Sequence, residues 1–557
     1  MMIRFILLII IFIESAAIAN DMRPGVPAIA TAHPLATAAG KEILNQGGNA
    51  FDAAIAVAAT LAVVEPYSSG LGGGGFWLLQ RSNGSTVMID AREKAPLAAH
   101  AKLYLDDDGQ LIEGASVNGP LAAGIPGAPA GLAYLAEHYG RLELAQSLAA
   151  AIKIAQDGFT VDQIYRKMVA RRLDALRASP DAADIFLVNN EIPNLGERII
   201  QKDLADTMQL LAQKGAAGFY EGAVAEKLVT SVRDNGGIWS LTDLAQYQIV
   251  ERQPIRINYY DTEIISATLP SSGGILLGII FNTLEKLNAY QANPTTQIHY
   301  AVEVMRRAYH DRARYLGDMD FVDVPIARLL SDVYAGELAR SIDSHRATPS
   351  LELSEITKNI PESEKTTHYS IIDADGNRVA ATLSINYAFG SGFVAKDTGI
   401  LLNDEMDDFV AKPGVPNLYG LVGSTANEIA AGKRMLSSMS PTFVDDGKRL
   451  AILGTPGGSR IITMVLLAIM RFMEGDSATG IVSARRYHHQ YLPDEISFEP
   501  GSLSVDTQRA LVNLGHKLQP YDGTYGNMQI VIWDYGRNKM DAASDPRGIG
   551  EAWIGNP

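Results

Sequence analysis

Threonine, glycine and arginine supply the chemistry in this sequence, because cysteine is absent from all 557 residues. That absence removes disulfides, thiolate metal sites and a cysteine nucleophile. No G-x-S-x-G elbow is present to anchor a serine triad. His488-His489 has no H-E-x-x-H partner motif, and adjacent residues on a helix or strand point apart, so the pair is read as structural. Gly70-Leu71-Gly72-Gly73-Gly74-Gly75 satisfies G-x-G-x-x-G, but a helix precedes it and a strand follows. Dinucleotide binding needs the reverse order, so the loop is read as close backbone packing that only glycine permits. Lys365-Thr366-Thr367-His368-Tyr369-Ser370 places two hydroxyls at the start of a strand, after a charged stretch at 354–365. Taken alone, this is a strand start favouring β-branched threonine.

The elements that hold these residues follow from periodicity. Residues 35–45 read as a helix stopped by Gly47-Gly48, and Asn49 caps an Ala-rich helix through Val64. Apolar runs at 76–79 and 86–89 flank Ser82-Asn83-Gly84, a hairpin signal. From about 145 to 345 the pattern is mainly helical, as in 298–315, where Ala301, Val304, Met305 and Ala308 recur at helical spacing. Strands are expected at 368–372 and 378–385, joined by Asp373-Ala374-Asp375-Gly376-Asn377. Further strands are expected at 442–444, 450–453, 529–533 and 539–542, with a helix at 461–473. Sheets alternating with helices fit a layered α/β or α+β architecture.

Composition sets the class. The chain is 47% hydrophobic and 20% charged, as in ordinary globular proteins, and its net charge of −16 argues against a nucleic-acid partner. Arg4 precedes an apolar run at 5–13 and then Ala17-Ile18-Ala19, which reads as an export signal cut after Ala19. The run is shorter than the roughly 20 residues of a membrane span. The expected mature protein is periplasmic or secreted, with no membrane span.

Seven blocks in one order resemble the γ-glutamyltransferase (γ-glutamyltranspeptidase) family of N-terminal nucleophile hydrolases, over nearly the whole mature chain. They are Ser68-Ser69-Gly70-Leu71-Gly72-Gly73-Gly74, Asp90-Ala91-Arg92-Glu93, Tyr315-Leu316-Gly317-Asp318 and Thr366-Thr367-His368-Tyr369-Ser370. The others are Leu402-Asn403-Asp404-Glu405-Met406-Asp407-Asp408-Phe409, Leu436-Ser437-Ser438-Met439-Ser440-Pro441-Thr442 and Gly454-Thr455-Pro456-Gly457-Gly458-Ser459-Arg460.

The resemblance implies an α+β fold, a four-layer αββα sandwich, matured by cleavage between Lys365 and Thr366 into chains 20–365 and 366–557. The two products would stay together as a non-covalent heterodimer. Cleavage gives Thr366 a free α-amine, with an unperturbed pKa of about 7.7–8, that can take the hydroxyl proton. Gly457 and Gly458 match the oxyanion-hole N–H pair. Ser384 stands where the family commonly has a threonine supporting the nucleophile. Arg92, Ser437 and Ser438 match a carboxylate clamp, and Asn386, Glu405 and Asp408 match the ammonium side. Residues 413–424 resemble the lid loop, with Tyr419 over the substrate. The implied reaction transfers a γ-glutamyl group from glutathione or a related compound to water, an amino acid or a peptide, without a cofactor or metal. The rivals are a cephalosporin (glutaryl) acylase and a processed, non-catalytic binding protein for γ-glutamyl compounds.

Overall fold

A computed structural model describes residues 23–353 and 366–556. The expected signal peptide, the stretch 354–365 and Lys365 lie outside the described residues.

Two antiparallel sheets face each other. The first runs in the order Glu551–Ile554, Ala28–Thr31, Thr367–Ile372, Arg378–Ser384, Gly74–Gln80, Thr86–Ala91, Val250–Arg252. The second runs Lys539–Ser544, Gln529–Asp534, Arg449–Gly454, Thr442–Asp445, Thr262–Ser266, Ile255–Tyr259. Side chains alternate along the first sheet, as the period of a pleated strand demands. Ile29, Trp77, Leu79, Ile371 and Val379 join a core with the helices outside it. Ala28, Phe76, Leu78, Met88 and Ala380 join the core shared with the second sheet. Helices Pro34–Asn45 and Ala50–Val64 cover the first sheet, while Gly273–Lys286 and Ile461–Met473 cover the second. This is the expected αββα sandwich.

The second of these helices shows how local sequence sets the frame. Asn49 accepts hydrogen bonds from the Phe51 and Asp52 N–H groups, and Asp52 accepts from the Asn49 N–H, completing a capping box. Every residue from Ala50 to Val64 is buried, which suits its small side chains to a place between layers. Its C-terminal neighbour Glu65 accepts from Thr367 Oγ1 at 2.9 Å, tying the helix end to the start of the central strand.

The region expected to be mainly helical also holds strands. Val250–Arg252, Ile255–Tyr259 and Thr262–Ser266 interrupt it. Ile255, Ile257 and Tyr259 alternate with Arg256 and Asn258, a period-2 signal too short to stand out beside long helices.

Candidate active site

Strand register sets the position of Thr366. Thr367 pairs with Leu383, so Thr366, one residue earlier, lies across from Ser384, and their hydroxyl oxygens are 3.3 Å apart. Ser384 Oγ also accepts the Asn386 N–H at 2.8 Å, which fixes its rotamer. The glycine loop presses on the same strand end. A Cβ on Gly73 would lie 2.1 Å from the Ser384 carbonyl oxygen, and one on Gly72 would lie 2.0 Å from that of Leu401. The loop is thus the close packing expected of it.

His368 belongs between the sheets. Its ring bonds Thr382 and Ser370, and burial pushes its pKa down to about 3, so it stays neutral. His488 bonds Thr463 and Gln490, while His489 contacts Arg306 and Asp494. A further cluster, His299, Glu303 and His516, has its carboxylate already held by Arg306, Arg307 and the Thr348 N–H. Protein groups engage each of these rings.

Gly457 has φ 143° and Gly458 φ 54°, backbone that a side chain resists. Gly458 opens a short turn, Gly458–Arg460, that runs into the helix Ile461–Met473. Neither glycine N–H donates to another described residue. Gly458 lines a small cavity with Thr366, Ser384, Asn386 and Tyr419, whereas Gly457, its neighbour in the chain, does not line it.

The far wall of this cavity is charged. Arg92 follows the strand Thr86–Ala91 and is 1% exposed. Its Nη2 lies 2.5 Å from Asp408 Oδ2 and its Nη1 lies 2.9 Å from Glu405 Oε1, with Glu93 Oε2 at 3.5 Å. The Arg92 Nε–H donates to the Met435 carbonyl. Three acids around one guanidinium give unequal pairing. No well-aligned hydrogen bond reaches either Glu405 oxygen from a described residue, although Arg92 and the Ser384 hydroxyl lie near enough to favour its charged form. Burial pushes the Glu405 pKa up to about 7, with Asp408 adding to the rise and Arg92 opposing it. Burial also raises Asp408 and Glu93 against the pull of Arg92.

Neighbouring loops hold these groups. Asn403 uses its amide fully, donating to Gly72 O and Gly124 O and accepting the Gly124 and Glu405 N–H groups. Ser437 N–H donates to Pro270 O, and Ser437 O accepts both the N–H and the hydroxyl of Ser272. Tyr419 is buried and its hydroxyl donates to Asn386 O at 2.9 Å. Asp407 steadies the loop by accepting the Leu418 N–H and the Ser116 hydroxyl.

A family model for gamma-glutamyltranspeptidase matches residues 36–554. The chain belongs to that family. It is 43% identical over 533 residues to a "Glutathione hydrolase proenzyme" of Pseudomonas sp. (strain A14), covering 93% of this chain and 92% of the relative. Among solved structures, a cephalosporin acylase from Bacillus halodurans superposes with a TM-score of 0.80 at 26% identity, over 95% of each chain. A chain of Helicobacter pylori gamma-glutamyltranspeptidase matches at 38% identity and a TM-score of 0.56. It covers 59% of this chain and 96% of its own length.

As in the rest of the γ-glutamyltranspeptidase family, this is an enzyme, and among its described residues no helix is long and apolar enough to cross a membrane. Ten of the eleven anticipated site residues line one cavity, and Gly457 adjoins it. The pairing of Arg92 with the acids meant for a substrate ammonium was not foreseen. Glu93 sits in a recognised block without an anticipated role. Asp404, whose buried Oδ2 accepts no hydrogen bond from a described residue, gave no signal beyond its block.

Proposed function

We propose that the chain is a γ-glutamyltransferase and glutathione hydrolase that cuts itself between Lys365 and Thr366. The new α-amine takes the Thr366 hydroxyl proton as the oxygen attacks the donor's γ-carbonyl. Ser384, 3.3 Å from that oxygen, orients it. The Gly457 and Gly458 N–H groups receive the oxyanion, a role worth about 2.7–4 kcal/mol of barrier per donor in such sites. The amine leaves with a proton, and the γ-glutamyl ester passes to water, an amino acid or a peptide. No cofactor enters the scheme.

The observation that carries the substrate assignment is Glu405, a buried carboxylate facing the same cavity as Thr366 and accepting no aligned hydrogen bond from a described residue. A substrate ammonium supplies the missing donors. Its α-carboxylate meets Arg92, Ser437 and Ser438. The zwitterion thus inserts into the Arg92–Asp408 pair, exchanging one internal contact for two external ones. Asn386 spends its amide N–H on Asp404 O, which leaves its amide oxygen as an acceptor. Tyr419 closes the site.

A glutaryl acylase is the second reading, favoured by the cephalosporin acylase likeness. A glutaryl group has no ammonium, so Glu405 and Asp408 would have to share the one Arg92 cation with its carboxylate. That makes the γ-glutamyl donor the better fit. The mature enzyme would be exported, as two chains held by the shared first sheet.

Intact-mass analysis of the native protein, with assays on γ-glutamyl and glutaryl anilides, tests the scheme. The expected result is two chains split before Thr366 that release arylamine from the γ-glutamyl compound. Thr366→Ala is expected to stay uncut and to lose at least about 10⁴-fold in activity. A fully active continuous chain would sink the proposal.

A further inference from the structure

Arg312 is a buried guanidinium without a buried counter-ion of its own. It lies near the end of the helix Pro294–Tyr315, is 5% exposed, and forms no ion pair with a carboxylate among the described residues. Its Nε–H donates to Ser272 Oγ at 3.1 Å and an Nη2–H donates to Ser438 Oγ at 3.3 Å. Leaving a cation buried against hydroxyls is costly unless an anion arrives. Burial lowers the Arg312 pKa, and Asp408, already paired with Arg92, is the acid that opposes this.

The direction of these hydrogen bonds matters. A guanidinium has donors only, so Ser438 Oγ must accept from it, and the Ser438 hydroxyl proton remains for another acceptor. Ser437 is arranged likewise, since its Oγ accepts the Met439 N–H at 3.1 Å. Ser272 uses its own proton on Ser437 O. Two adjacent hydroxyls on the cavity wall are therefore set to donate.

We propose that Arg312 is a positioning residue for donor binding, turning the Ser438 hydroxyl proton toward the substrate α-carboxylate and supplying a second positive charge behind it. This rests on Ser438 being a carboxylate ligand, as assigned above.

The test compares two anilides that differ only in the α-carboxylate, γ-glutamyl and 4-aminobutyryl, on the cleaved enzyme. Arg312→Gln is expected to lower kcat/KM for the γ-glutamyl donor by about 10-fold or more, chiefly through KM. For the 4-aminobutyryl donor the change should stay within about 2-fold, and Arg312→Lys should recover part of the loss. Ser438→Ala should show the same selectivity, and the double variant should lose little more than either single one. Equal losses on both donors, or fully additive losses, would mean Arg312 merely supports the fold. If Ser438→Ala is selective but Arg312→Gln is not, the Arg312 proposal alone fails. If Ser438→Ala spares the γ-glutamyl donor, the Ser438 assignment falls and takes this proposal with it. Should Arg312→Gln not fold, Arg312→Lys decides, because unchanged donor selectivity in it overturns the proposal.

Discussion

At the Thr366 end of the cavity the groups are hydroxyls and glycine backbone, placed by strand register and by two glycines at positive φ. At the Arg92 end they are ions taken out of water, Arg92, Glu93, Glu405 and Asp408, with Arg312 behind them. The first end depends on where the chain goes. The second depends on a balance of charges whose separate costs of burial are large. Geometry tolerates a small change of side chain far better than such a balance tolerates loss of one member.

Removing the central cation should therefore break the charged end outright. Arg92→Met leaves three neighbouring acids without their shared partner. It should cost about 3 kcal/mol of stability, seen as a lower urea unfolding midpoint, and about 10³-fold in kcat/KM for a γ-glutamyl anilide. An unchanged midpoint would show that the acids simply take up protons.

A gentler probe of the same end is pH. Glu405, raised by burial to about 7, is neutral below that pH and carboxylate above it. Only the carboxylate attracts an ammonium, so kcat/KM should fall by up to tenfold per unit as pH drops through 7. Glu405→Gln should sit about 10-fold below wild type at pH 8 and lose that component of the acid limb, leaving the component due to the Thr366 amine. An identical profile in the variant would assign the whole limb to the amine.

Tyr419→Phe tests the cover between the two ends. Losing one buried hydrogen bond to Asn386 O should raise donor KM about 3- to 5-fold with kcat little altered. The smallest effect is expected at the geometric end. Ser384→Thr keeps the oxygen and adds a methyl that restrains the rotamer. Activity should stay within about 3-fold, while self-cleavage, followed by gel after synthesis, should run faster. A large loss would show that the pocket around Ser384 has no room for the methyl.

Legibility followed the same divide. The capped helix after Asn49, the strands flanking the turn at 373–377 and the helix Ile461–Met473 could all be read from periodicity and turn chemistry. The glycine loop could be assigned to packing because its flanking elements were in the wrong order for a nucleotide. The strands between Val250 and Ser266 were missed because each is short and their pattern is overlaid by long helices. Arg312 was missed for a different reason. An arginine on an amphipathic helix ordinarily reads as solvated, and only the layer packed against it shows that it faces inward. His368 would have been an attractive base next to Thr366, yet the sheet turns it between layers and keeps it neutral.

The sequence by itself determined the local items: which segments form strands and helices, where glycine is obligatory, and which residue types gather in seven ordered blocks. Those depend on neighbours a few positions away, so spacing records them. Tertiary structure alone decided that Arg92 meets Glu405 and Asp408 before any substrate does, that no well-aligned hydrogen bond reaches Glu405 from a described residue, and that Arg312 stands behind Ser438. The physical reason is that desolvation and Coulomb forces act through space, and more than a hundred residues separate the partners along the chain.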